Sequence, residues 1–182
     1  ILKFTALNTK TMHWFYTPDI CSNYYILSEE ESKHAVRVLR LEPGDTVFLA
    51  DGKGTLRHAR IMDNHPKKCT LEVFKTEQGV GKRDYYIHIA VAPTKNIDRT
   101  EWFIEKAVEI GIDEITLLNC RFSERKTVNT ERLEKIIVSA MKQSLKTFLP
   151  RLNPMIDLRQ FVQGDFKGNK YIAHCSDQYR TS

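Results

Sequence analysis

Short runs in which apolar and polar residues alternate fill the first part of the chain: HWFYTPDI (13–20), TVFLADG (46–52), TLRHARIM (55–62) and CTLEVFK (69–75). Turn signals at Asp51-Gly52-Lys53-Gly54 and Asn64-His65-Pro66 separate them, and this spacing predicts a small β-barrel. One helix interrupts it. Ser28 and Glu31 form a capping box, Glu29, Glu30 and Glu31 load the first turn, and Lys33, Arg37 and Arg40 load the end, in the sense the helix dipole favours. Ala35, Val36, Val38 and Leu39 are expected to pack on the barrel.

Past the polar stretch 77–84 the period changes. The glycines of Gly79-Val80-Gly81 mark a linker, and YYIHIAVAP (85–93) reads as a strand buried on both faces, as in parallel sheets. In DRTEWFIEKAVEIG, Asp98 and Glu101 are expected to cap a helix that turns Trp102, Phe103, Ala107, Val108 and Ile110 inward and stops at Gly111. EITLLNC (114–120) is a second strand. Thr130 to Lys146 forms an amphipathic helix with Leu133, Ile136, Ile137, Ala140 and Met141 inside, and KYIAHC (170–175) a further strand. Strands alternating with helices predict a parallel α/β layer, so the fold class is mixed: a barrel over 12–78, then an α/β unit over 84–182. Residues 1–11 read as a non-native or disordered leader before Met12.

A length of 182 residues with 41% hydrophobic content is enough to bury a core. The net charge of +5 is modest, but its distribution is informative. Residues 12–79 hold nine Lys/Arg against ten Asp/Glu, whereas 121–151 hold eight against three. Cys21, Cys69, Cys120 and Cys175 lie far apart with no zinc-ligand spacing, which fits reduced thiols in a cytoplasmic protein with no metal. No apolar run spans a membrane, and the first residues lack a secretory pattern.

The helix flank bearing Lys33, His34, Arg37 and Arg40 is either a solvated helix end or a contact for a polyanion such as RNA. DGKGT lacks the spacing of a phosphate-binding loop and joins two strands, so it reads as a hairpin turn. His58, His65 and His88 have no partner at metal or triad spacing. Ala92-Pro93-Thr94-Lys95 follows the first α/β strand, where ligands of open sheets collect; Pro93 either merely ends the strand or Lys95 meets an anion there. CRFSERKT (120–127) follows the next strand, and topology should place Lys95, Arg121, Arg125 and Lys126 on one rim suited to phosphates. Gln143 and Ser144 are ordinary polar positions or readers of a base edge.

Several segments, in order, resemble one family. HAVRVLRLEPGD (34–45), APTK (92–95), TEWFIEKAVEIGIDEI (100–115), SER (123–125) and AMKQSLKTFLP (140–150) are similar to the RsmE-type ribosomal RNA uridine methyltransferases of the SPOUT superfamily. The resemblance implies a PUA-like RNA-holding barrel and an α/β domain that ties a trefoil knot around S-adenosylmethionine. It implies dimers that methylate ring nitrogen 3 of a uridine in 16S ribosomal RNA of the small subunit. His34, Arg37 and Arg40 would then belong to the RNA-binding barrel, and Lys95, Arg125, Gln143 and Ser144 to the RNA-facing rim. The reaction would be an in-line displacement with the uridine anion stabilised by a cation, for which Arg125 is the candidate.

Two departures stand out. Lys142-Gln143-Ser144-Leu145-Lys146 occupies the place of the family's Glu-Gln-Ser-Gly-Arg. The family's Gly-Pro-Glu-Gly-Gly segment does not occur before Ser182, which leaves the cofactor residues unassigned and predicts an inactive chain that binds S-adenosylmethionine poorly. A non-catalytic RNA-binding protein is the alternative reading, and a small-molecule α/β enzyme a third.

Overall fold

Strands β1 (Trp14–Tyr16), β2 (Tyr24–Ile26), β3 (Thr46–Ala50), β4 (Leu56–Asp63) and β5 (Thr70–Glu77) form one sheet in the order β1-β3-β4-β5-β2. The computed structural model describes residues 12–173; the expected leader and the last two residues of KYIAHC lie outside that range. Only β1 and β3 pair parallel; the other neighbours are antiparallel. The sheet curls as a half-barrel rather than closing. Alternation decides its inner face: Phe15, Val47, Leu49, Ala59, Ile61 and Leu71 turn inward and are buried.

Helix α1 (Glu29–Lys33) covers that core. The Ser28 hydroxyl accepts from the Glu31 amide, as expected of an N-cap. From His34 to Val38 the chain widens into a π-turn, with the Leu39 amide bonded to the His34 carbonyl, and Arg40 then stands at φ 53°. The wider turn changes which side chains face the barrel. Ala35 and Leu41 enter the core and Leu39 packs at its edge, but Val38, expected inside, is 66% exposed.

The second sheet has the order β6-β7-β8 and is parallel: β6 (His88–Val91), β7 (Glu114–Asn119) and β8 (Arg151–Asp157). Helices α2 (Ile97–Ile110) and α3 (Thr130–Gln143) pack on one face through Ile104, Ala107, Val108, Leu133, Ile137, Ala140 and Met141. A short α4 (Leu158–Val162) follows β8.

Several expectations need correction. The first α/β strand begins at His88, since Tyr85, Tyr86 and Ile87 are exposed, and β6 is half-buried as a sheet edge; only central β7 is buried on both faces. Asn96, not Asp98 with Glu101, caps α2, because the Asn96 side chain accepts from the Asp98 amide while Glu101 pairs with Arg132. The buried stripe Thr100, Ile104, Ala107 and Val108 leaves Trp102 and Ile110 outside, 64% and 79% exposed. Lys170 to Ala173 form no strand, and Tyr171 and Ile172 are exposed. The third strand of the sheet is instead 151–157, whose Pro154 disguises it in the sequence.

The hairpin turn of Asp51 to Gly54 does more than join β3 to β4. Gly54 N–H donates to the Thr147 carbonyl, Leu149 N–H to Gly52, and Val80 N–H to Gly54. The Thr147 hydroxyl bonds the Val80 carbonyl, and Trp14, Tyr16 and Ala50 pack into the α/β core. Lys142 also meets Glu31 of α1 at 2.5 Å. The two sheets are thus joined by backbone bonds, shared apolar surface and an ion pair.

Candidate nucleic-acid interface

In a parallel sheet the loops after the strands gather at the carboxyl edge, and those after β6 and β7 do so here. Thr94 holds its loop by donating from its amide to the hydroxyl of Thr100, a buried residue in the first turn of α2. Cys120 N–H donates to the Ser123 hydroxyl and fixes the second loop. Arg125 ties them together: its Nε donates to the Thr94 carbonyl at 3.2 Å and its Nη2 to the Lys95 carbonyl at 2.8 Å. Lys126 turns back on the Asn119 side chain and the Cys120 carbonyl. Lys95 pairs with Glu124 at 2.9 Å in the open, a contact worth little in water. Arg121 lies over the Phe122 ring, 5.2 Å from its centre. Lys95, Arg121, Arg125 and Lys126 therefore share one rim. Arg125, the candidate for stabilising a uridine anion, spends two of its donors on backbone carbonyls, so its evident task is to hold the Thr94-Lys95 loop.

Gln143 and Ser144 are elsewhere. They end α3, whose fourteen residues carry the chain about 20 Å from the rim to the amino edge of the sheet, where Arg151 N–H bonds the Asp113 carbonyl. Ser144 donates its hydroxyl to the Ala140 carbonyl at 2.6 Å. Leu145 takes φ 53°, the conformation that suits the glycine of the family's segment. A cleft of about 430 Å³ at this amino side is lined by Tyr16, Asp51, Lys53, Glu134, Ile137 and Leu149, away from the rim cations.

On the barrel, His34, Arg37 and Arg40 are exposed along the π-turn and its end. Lys33 is not equivalent to them: it pairs with Glu29 at 2.7 Å in the i,i+4 sense and holds that carboxyl below its usual range. Arg37 and Arg40 make no ion pair among the described residues.

Pattern reading also missed a polar network on the sheet face opposite α2 and α3. Tyr86 donates to Glu114 at 2.5 Å, Asn153 donates to Glu114 and Thr116, and His88 meets Thr116 at 2.7 Å beneath Phe161 and Phe166. Burial pushes Glu114 up, but bonds from Tyr86 and Asn153 outweigh it and leave the carboxyl below its ordinary value. Although Tyr86 as a whole is exposed, local desolvation of its hydroxyl and the same bond to Glu114 push it up to about 12. The alternation of His88, Glu114, Thr116 and Asn153 with apolar neighbours was the available signal. Among the described residues no three His, Cys, Asp or Glu side chains converge to hold a metal, and no helix is long and apolar enough to cross a membrane.

Comparison with known proteins agrees with this layout. A family described as the RNA methyltransferase domain matches residues 82–182, and one described as the RNA methyltransferase PUA domain matches 27–74. The ribosomal RNA small subunit methyltransferase E of Buchnera aphidicola is 25% identical over 92% of this chain and 69% of its own length. A crystal structure described as a probable rRNA-methyltransferase from Porphyromonas gingivalis is 36% identical, with TM-score 0.79 over 93% of this chain and 71% of that one. The ribosomal RNA small subunit methyltransferase E of Neisseria gonorrhoeae, solved bound to S-adenosyl methionine, shares the fold at 22% identity, with TM-score 0.76 over 86% of this chain and 67% of its own. With a family match over more than half of its length and a PUA-like half-barrel ahead of the α/β unit, the chain belongs to the RsmE-type RNA methyltransferases.

Proposed function

We propose that the protein serves S-adenosylmethionine-dependent methylation of ring nitrogen 3 of a uridine in 16S ribosomal RNA, acting as a cytoplasmic homodimer on the small ribosomal subunit. In this reading residues 12–78 grip RNA through His34, Arg37 and Arg40, and 84–182 contribute the rim of the methyltransferase unit. The observation that carries it is the convergence of Lys95, Arg121, Arg125 and Lys126 on loops at the carboxyl edge of a parallel sheet, in a chain whose relatives are named as ribosomal RNA methyltransferases.

S-adenosylmethionine supplies the methyl group when bound. The rim fits RNA better than it fits the cofactor: four cations suit phosphates and would repel a sulfonium, so no described residue is assigned to the cofactor. The rim's part is to orient the target loop of RNA and to lower the cost of removing the weakly acidic uridine proton by nearby positive charge. The target base must leave its stack to be reached, and contacts on both flanking loops would hold it out.

Nucleoside mass spectrometry of 16S ribosomal RNA from a strain lacking the gene should show loss of 3-methyluridine, restored by the intact gene. An unchanged level refutes the assignment. In the same complementation, Arg125→Ala and Arg125→Lys should be impaired alike, by about tenfold or more in methylation rate, because lysine keeps the charge but cannot bridge two carbonyls in the guanidinium's fixed geometry. Rescue by lysine would instead place the charge itself on the reacting uridine.

A further inference from the structure

The face of the half-barrel away from α1 carries an aromatic row that starts at Trp14, packed on the α/β core, and ends in the exposed ring of Phe74. Trp14, Phe48 and His58 are register neighbours on β1, β3 and β4, with ring centres 5.6 and 4.9 Å apart. Phe74 of β5 extends the row, 6.1 Å from His58. It lies at a break in the β4–β5 register, where pairing passes from His58 with Lys75 to Ala59 with Val73 and leaves Phe74 as the extra residue. Such bulges re-aim a side chain. Phe74 is 54% exposed, and Tyr24, 61% exposed, stands on the neighbouring strand β2.

The polar groups around this row are arranged in an unusual way. Arg60 faces Glu72 across β4 and β5, yet Glu72 accepts from the Tyr24 hydroxyl at 3.0 Å, and the Arg60 guanidinium lies over Phe74, 5.6 Å from the ring centre. Stacked there and free of any carboxylate among the described residues, Arg60 keeps its N–H edge available. An exposed ring beside a stacked guanidinium on an open sheet matches how proteins hold unpaired nucleotides, with the ring taking the base and the cation the phosphate. A second copy of the chain would favour a patch whose centre lacks charge, whereas Arg60, Glu72, Lys75 and Glu77 are interspersed here.

We propose that Phe74 and Arg60, with Tyr24 beside them, form a stacking platform for one or two unpaired nucleotides of the RNA substrate, on the barrel face opposite the one covered by α1. This rests on the RNA reading above and adds a second, base-stacking contact to the cationic ones.

The test uses the 182-residue chain with a single-stranded oligouridine and with an RNA duplex of the same length. Phe74→Ala and Phe74→Leu should each weaken single-strand binding about five- to tenfold in fluorescence anisotropy, while duplex affinity stays level because its bases are already stacked. Since Phe74 is exposed, circular dichroism and Tm should not move. Oligouridine bearing 4-thiouridine should crosslink to peptides containing Tyr24 or Phe74. Unchanged single-strand binding in both Phe74 variants, with an Arg37→Ala, Arg40→Ala variant still weakened, overturns this inference and leaves the RNA reading standing. Loss in Phe74→Ala of a self-association seen by analytical ultracentrifugation would give the face to a second copy and also overturn it. No binding of either RNA by the unaltered chain overturns both.

Discussion

Gly54→Ala should lower Tm by about 5 to 15 °C, corresponding to a loss of about 2 to 4 kcal/mol. Two costs add. Gly54 stands at φ +94°, where any β-carbon is strained, and that β-carbon would lie 2.3 Å from Cζ of Phe148 and within 3 Å of both neighbouring ring carbons. The ring cannot swing aside freely, because Thr147 and Leu149 on either side are bonded to the turn. Gly44 supplies the comparison: it has the same φ of +94° with nothing within 4 Å of a β-carbon, so Gly44→Ala isolates the backbone cost at about 1 to 2 kcal/mol. Thermal unfolding of the two variants measures the Phe148 contact by difference. Equal Tm losses would show that the turn is not tightly docked.

Removing Arg37 and Arg40 together should weaken RNA binding by about tenfold and lower the slope of log Kd against log salt by roughly 1.4 for single-stranded RNA, since each phosphate contact contributes roughly 0.7. Both guanidiniums project from the π-turn and its end without ion pairs among the described residues, so their charge is available to phosphates. Lys33→Ala should change the slope less, because Lys33 is already partnered by Glu29. The stability of the protein should hardly move. Affinity measured across a salt series decides the matter, and an unchanged slope would leave the arginines as a solvated helix end.

Local chemistry made much of this fold legible in advance. Ser28 announced α1, Gly111 closed α2, and the inward residues of α3 were readable because a helical stripe needs only its 3.6 period. The α/β rim followed from topology alone, since strand ends in a parallel sheet share an edge whatever the side chains do. What stayed hidden depended on partners distant in sequence or on an irregular turn. No local pattern shows that His34 to Val38 widen into a π-turn and expel Val38, or that Asn96 captures the cap from Asp98. Gln143 and Ser144 lie apart from the cations of the rim for a simple geometric reason: an antiparallel return helix delivers its last residues to the opposite edge of the sheet. Arg125 was found by its charge, but its bonds to two backbone carbonyls change the role that charge suggested.

The docked turn has a consequence for substrate choice. Because Gly52, Gly54, Thr147 and Leu149 fasten the half-barrel to the α/β unit, the arginines on one and the cationic rim on the other keep a constant separation. Such a rigid pair acts as a caliper: an RNA engages both only when the two segments it offers are spaced to match, so selectivity would come from the shape of the folded RNA as well as from the base that is modified.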